Sequence, residues 1–143
     1  MALATTIARI LLGLLFTLAG ASAFFAPPPP QTGLAGTFTD VWVHSHWVLF
    51  VAAAQLAIGV LFLINRFVPL ALTMLAAFLY NSLAFHITMA QSSLAAPLVV
   101  TALWVLVSVK YRTLFALLFA PTPTEPQRSC ANITIERSSS AHL

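Results

Sequence analysis

Four side chains carry most of the polar chemistry that this largely hydrocarbon sequence offers: Gln55, Asn81, His86 and Trp104. Two carboxamides and an imidazole can donate to, or accept from, a small polar ligand, and an indole adds a flat face for stacking. The set suits a quinone head group. Its carbonyls would accept from Gln55, Asn81 or His86 while its ring lies on Trp104. The same groups have a plainer use, as hydrogen-bonding glue between helices worth about 0.6–2 kcal/mol in lipid. The histidines also leave two readings open. His46 with His86 could ligate haem, or with His44 a metal ion; alternatively, all three make ordinary interfacial hydrogen bonds. No catalytic residue and no metal site is assigned. The sequence has no nucleophile–base pair, phosphate-binding glycine loop, Walker motif or dinucleotide fingerprint. The lone Cys130 can form neither an internal disulfide nor a dithiol.

The elements that would position these groups follow from composition. Of 143 residues, 60% are hydrophobic and 6% charged, with mean hydropathy +0.97. A soluble domain is typically about 25% charged, so too few charges are present to cover a water-exposed surface, and an integral membrane protein is expected. The net charge of +3 comes from basic residues scattered singly or as the pair Lys110/Arg112. Without a basic stripe, no nucleic-acid partner is expected. No Asp or Glu falls inside an apolar run, which argues against a proton- or cation-coupled pump.

The apolar runs predict an all-α, four-helix antiparallel bundle, up-down in order, with spans at about residues 5–25, 46–64, 68–89 and 97–119. The membrane domain covers 1–120, and the polar residues 121–143 form a disordered cytoplasmic tail. The first span is read as a retained helix, although Ala21-Ser22-Ala23 resembles a leader cleavage site. Gly13, Thr17 and Ala21, with Gly20 beside them, form a small-residue ridge suited to close helix approach. Pro27–Pro30 opens a Pro-rich outer loop. Leu34, Phe38, Val41 and Trp42 then predict a short interfacial helix. Asn65-Arg66-Phe67 is a tight turn, with Pro69 in the first turn of the next helix.

Arg9, Arg66 and Lys110/Arg112 fall on one side of this layout. The positive-inside rule then puts both termini and the Arg66 turn in the cytoplasm. Counting ~1.5 Å of rise per residue sets Gln55 roughly 13 Å, and Asn81 and Trp104 about 10 Å, below the outer face, as one polar layer with His86 above it. Asn81 and His86, about 140° apart around the helix, are not expected to share a face.

The segments Arg9-Ile10-Leu11-Leu12-Gly13 and Arg66-Phe67-Val68-Pro69-Leu70-Ala71-Leu72, with Asn81 and Phe85-His86, give the chain a resemblance to the DoxX family over roughly residues 5–119. Gln55 departs from the family pattern, in which an acidic residue often precedes the second-span glycine, and no Lys follows Gly20. The resemblance implies a multi-pass protein of the bacterial inner membrane, related to subunits of thiosulfate:quinone oxidoreductase and other membrane redox complexes. It therefore implies an accessory or quinone-interacting subunit that works with a partner redox subunit. Arg66, Pro69, Asn81 and His86 match family positions. The alternative is a non-enzymatic scaffold or anchor whose small-residue ridge docks a partner protein.

Overall fold

The computed structural model of the chain describes residues 2–26 and 28–118, and every regular element among them is helical. The helices are α1 (Ala2–Ser22), α2 (Gly33–His44), α3 (Trp47–Leu63), α4 (Val68–Thr88), α5 (Ala95–Lys110) and α6 (Arg112–Leu118), with a 3-10 turn at Gln91–Ser93 between α4 and α5. α1 and α4 are long and apolar enough to cross a membrane, and α2 with α3, which meet at 86°, make a third if the bent pair is one span. The apolar α5 has only 16 residues.

The structure is built outward from the contact between α1 and α3. Gly13 lies against Gly59 and Leu63, and two turns on Gly20 lies against Ala52 and Leu56, so the two helices run antiparallel. A Cβ on Gly59 would sit 2.8 Å from the Gly13 carbonyl oxygen, and one on Gly20 would sit 2.7 Å from that of Ala52. Both obstacles are backbone atoms, so only glycine allows this approach. The small-residue ridge of α1 therefore packs against α3 at Gly13, Thr17 and Gly20. Arg9 fixes the register at the other end by donating from its guanidinium to the Phe62 carbonyl in the last turn of α3. Carbonyls there lack in-helix partners, and a cation is favourable beside them.

The other helices close a core on this pair. Leu12 and Phe16 of α1, Ile58 and Phe62 of α3, Val68, Leu72, Leu75 and Leu79 of α4 and Val107 of α5 are buried together. Phe16 meets Phe78 edge-to-face at 5.2 Å. The Trp104 indole donates to the Leu72 carbonyl at 2.9 Å and fixes the antiparallel register of α5 on α4. Large apolar side chains also point outward all round, among them Leu3, Leu18, Phe50, Leu70, Leu98 and Val109.

Helix ends differ in places from the expected spans. α1 stops at Ser22 and passes into turns, with Phe24 and Phe25 bonded back to Ala21 and Ser22. α5 starts at Ala95, and Pro97 falls within its first turn and is buried. The expected continuous span to 119 is broken at Tyr111 (φ −106°, ψ 14°). Tyr111 is packed on the core, whereas Lys110 and Arg112 on either side are exposed. Across the break Tyr111 keeps to the inward stripe of Leu103, Val107 and Phe115, and Lys110 and Arg112 flank it. The Arg66 turn is as expected, joining Leu63 to Val68 through Asn65 and Phe67 in left-handed conformation (φ 56° and 54°). The expected tail, with Cys130, lies outside the described residues.

Charge separates along the long axis. The Phe62 bond sets Arg9 beside the turn that carries Arg66, and the register of α5 brings Lys110 and Arg112 to that same end. Asp40, the one acidic residue among those described, lies on α2 at the opposite end.

Replacing Gly59 by Leu is expected to push α1 off α3 and lower stability in detergent by roughly 1–3 kcal/mol, the usual cost of overpacking. Ala53→Leu, on the exposed side of α3, should change it by no more than about 0.5 kcal/mol. Thermal or denaturant unfolding followed by circular dichroism measures both.

Candidate functional site

At the end remote from the cations lies a cleft of about 560 Å³. Three features of the sequence build it. The rigid Pro28-Pro29 segment carries the chain away from α1, and its prolines line one side of the cleft. Gly33, with φ +64°, turns the chain into α2. His46, also left-handed at φ 60°, bends α2 against α3 so that α2 lies across the mouth of the helices. Phe38, Thr39 and Trp42 then face the cleft from α2, and Trp47 and Val51 face it from α3. The floor comes from α4, with Phe78, Asn81, Ser82, Phe85 and His86.

Five aromatic side chains, Phe38, Trp42, Trp47, Phe78 and Phe85, line the cleft. Phe38 stacks on Trp42 at 6.5 Å and tilts against Phe85 at 5.4 Å, and Phe85 meets the His86 ring edge-to-face at 5.3 Å. Of the polar side chains, Asn81, Ser82 and His86 come from α4, Thr39 from α2, Gln31 from the loop before α2 and Ser93 from the 3-10 turn. Asn81 donates from Nδ2 to the Ala77 carbonyl at 2.9 Å, and among the described residues nothing reaches its Oδ1. The Ser93 hydroxyl lies 2.9 Å from Nδ1 of the half-buried His86 and 3.1 Å from the Ala90 carbonyl. When the hydroxyl proton goes to Ala90, His86 donates from Nδ1 to Ser93 Oγ, and its Nε2 is an acceptor. When the proton turns to Nδ1, Nε2 carries hydrogen and donates. His86 can therefore meet either a carbonyl or a hydroxyl on a ligand, since no described residue bonds its Nε2.

Two of the four residues singled out from sequence meet here and two do not. Asn81 and His86 both line the cleft although about 140° of helix separates them, because the cavity wraps α4 and they stand at its two edges with Ser82 and Phe85 between. Gln55 is half-buried on the stripe of Trp47 and Val51, one turn beyond them, and does not line the cleft. Trp104 lies against Leu72, nine residues before Asn81 on α4, which is about 13 Å along the axis at helical rise. The expected common layer is thus not formed. The depth count took α5 to start level with the end of α4, whereas the connection turns back and sets Ser93 beside His86, so α5 begins lower. Trp104 instead forms a hydrogen bond between helices.

Thr39, Ser82, Ser93 and the aromatic walls were not picked out as site residues. The signal available for them was the i, i+4 pair Phe38/Trp42 ahead of a His-rich bend. His44 and His46 serve that bend: His44 Nδ1 lies 2.7 Å from the Asp40 carbonyl, and His46 is exposed. No group of three metal-ligating residues is present among the described residues. No family model, curated protein or solved structure matches the chain.

Trp104→Phe should cost about 0.6–2 kcal/mol, as for loss of one hydrogen bond between membrane helices, and should leave the distant cleft intact. Unfolding in detergent reads the first effect. Accessibility of Trp42 and Trp47 to a soluble fluorescence quencher reads the second.

Proposed function

We propose that the chain is a DoxX-like, multi-pass protein of the bacterial inner membrane, with α1, α3, α4 and α5 as its spans and both termini in the cytoplasm. We propose further that its outer cleft receives a quinone head group in the service of a membrane redox system, with the catalytic cofactor on a partner subunit. What supports the membrane placement is the outward apolar surface together with the gathering of Arg9, Arg66, Lys110 and Arg112 at one end. Lys and Arg mark the cytoplasmic side. The 86° bend sets α2 across the bundle end, where its Trp42 and the neighbouring Trp47 match the headgroup level.

The observation that carries the quinone reading is the cleft: an aromatic slot with the amide of Asn81 at one edge and the imidazole of His86 at the other. A planar ring with polar atoms at both ends fills such a slot. Its two carbonyls accept from Asn81 and His86, and its rings pack on Phe38, Trp42 and Phe85. Reduction to the quinol replaces acceptors by hydroxyl donors, and the two hydrogen-bonding states of His86 with Ser93 accommodate both forms.

Short-chain quinone titrated into the purified protein is expected to quench Trp42 and Trp47 fluorescence saturably. His86→Leu and Asn81→Leu should each weaken binding by about 5- to 100-fold, the equivalent of losing a buried hydrogen bond of roughly 1–3 kcal/mol. Gln55→Leu and Trp104→Phe should leave it within about twofold, since neither lines the cleft. Absence of saturable quenching would end the quinone reading. Orientation is checked separately in a Cys130→Ser background. An impermeant thiol reagent added to spheroplasts should label Asp40→Cys, and should label Arg66→Cys only after the membrane is opened.

A further inference from the structure

A second concavity lies at the opposite, cation-bearing end. Trp104, Val105, Ser108 and Val109 of α5, with Arg112 and Phe115 of α6, line an open trough of about 410 Å³. Its lining is almost wholly hydrocarbon and aromatic, and the exposed Arg112 is among the residues that form it. Two polar groups beside it lack a counterpart among the described residues. Arg112 has no acidic neighbour, because Asp40 is at the far end of the molecule. The Ser108 hydroxyl oxygen is buried and bonded to nothing, although a serine in a helix ordinarily bonds back to the preceding turn.

We infer that this trough is a binding site for one anionic phospholipid of the cytoplasmic leaflet, an inference that rests on the membrane placement proposed above. The order of groups along α5 and α6 matches the order along a lipid molecule. An acyl chain lies on Trp104, Val105 and Val109. One turn further out, Arg112 pairs with the phosphate, for which a guanidinium has the right fork of donors. The charges of Arg9, Arg66 and Lys110 at the same end add a field that favours an anionic headgroup over a zwitterionic one. Residues 119–143 are a weaker occupant: they carry Glu125 and Glu136 against Arg128 and Arg137, and so bring no net charge to complement Arg112.

The test uses the full-length protein extracted from membranes in mild detergent, with phosphatidylglycerol and phosphatidylcholine of identical acyl chains added, and bound lipid counted by native mass spectrometry. Phosphatidylglycerol should bind at least about fivefold tighter, as expected for one well-placed cation near an anionic headgroup. Arg112→Gln should remove that preference, whereas Arg66→Gln, at the same end but outside the trough, should keep most of it. Val105→Trp fills the trough without altering charge and should abolish tight binding of both lipids. Equal losses from Arg112→Gln and Arg66→Gln would mean a diffuse field rather than a site, and undiminished binding to Val105→Trp would mean that the lipid sits elsewhere. Either result overturns the proposal. Recovery of the protein in the soluble fraction would instead strike the membrane placement itself, so the two failures are distinguishable.

Discussion

Contact between the backbones of α1 and α3 is the constraint on which the rest of this structure depends. Helices in hydrocarbon gain nothing by hiding apolar surface from lipid, so they associate through close packing and polar bonds. Gly13, Gly20 and Gly59 remove the side chains that would hold the two axes apart, and Arg9 on the Phe62 carbonyl sets their sliding register. Once these helices are joined, the ends of α3 are fixed. The His46 bend stands at one end and the Arg66 turn at the other. The bend determines where α2 lies, and the turn determines where α4 rises. The cleft between α2 and α4 is thus a downstream consequence of glycines that take no part in lining it.

The layout of helices was legible because apolar runs and their punctuation are local. Pro69 near the start of α4, the Asn65-Arg66-Phe67 turn and the short helix through Leu34, Phe38 and Trp42 all follow from neighbouring residues. Relative depth was not legible. It depends on how a connection folds, and the polar Gln91-Ser92-Ser93 stretch gives no sign that it turns back to bring Ser93 against His86. That displacement separates Trp104 from Asn81. The break at Tyr111 was not legible either, because Lys110-Tyr111-Arg112 holds neither Gly nor Pro to mark it.

The candidate site was half visible. Asn81 and His86 stood out because polar side chains in an apolar helix are conspicuous. The aromatic residues around them did not, since Phe and Trp are common in such helices and acquire meaning only when a bend gathers them. Gln55 illustrates the converse. It is as conspicuous as Asn81, yet it falls one turn past the cleft because the side-chain stripe of α3 continues inward beyond Val51.

The shortness of α5 has a consequence for the surrounding lipid. Sixteen helical residues span about 24 Å against a hydrocarbon thickness of ~30 Å, and α5 also starts lower than α4 ends. In the membrane placement proposed above, a bilayer would dimple on the α5 side, drawing outer-leaflet headgroups and water down toward Ser93 and His86. Polar traffic would reach the imidazole from that thinned rim, while an apolar tail could remain on the full-thickness side of α4. A molecule polar at one end and greasy at the other would not have to leave the membrane to be held.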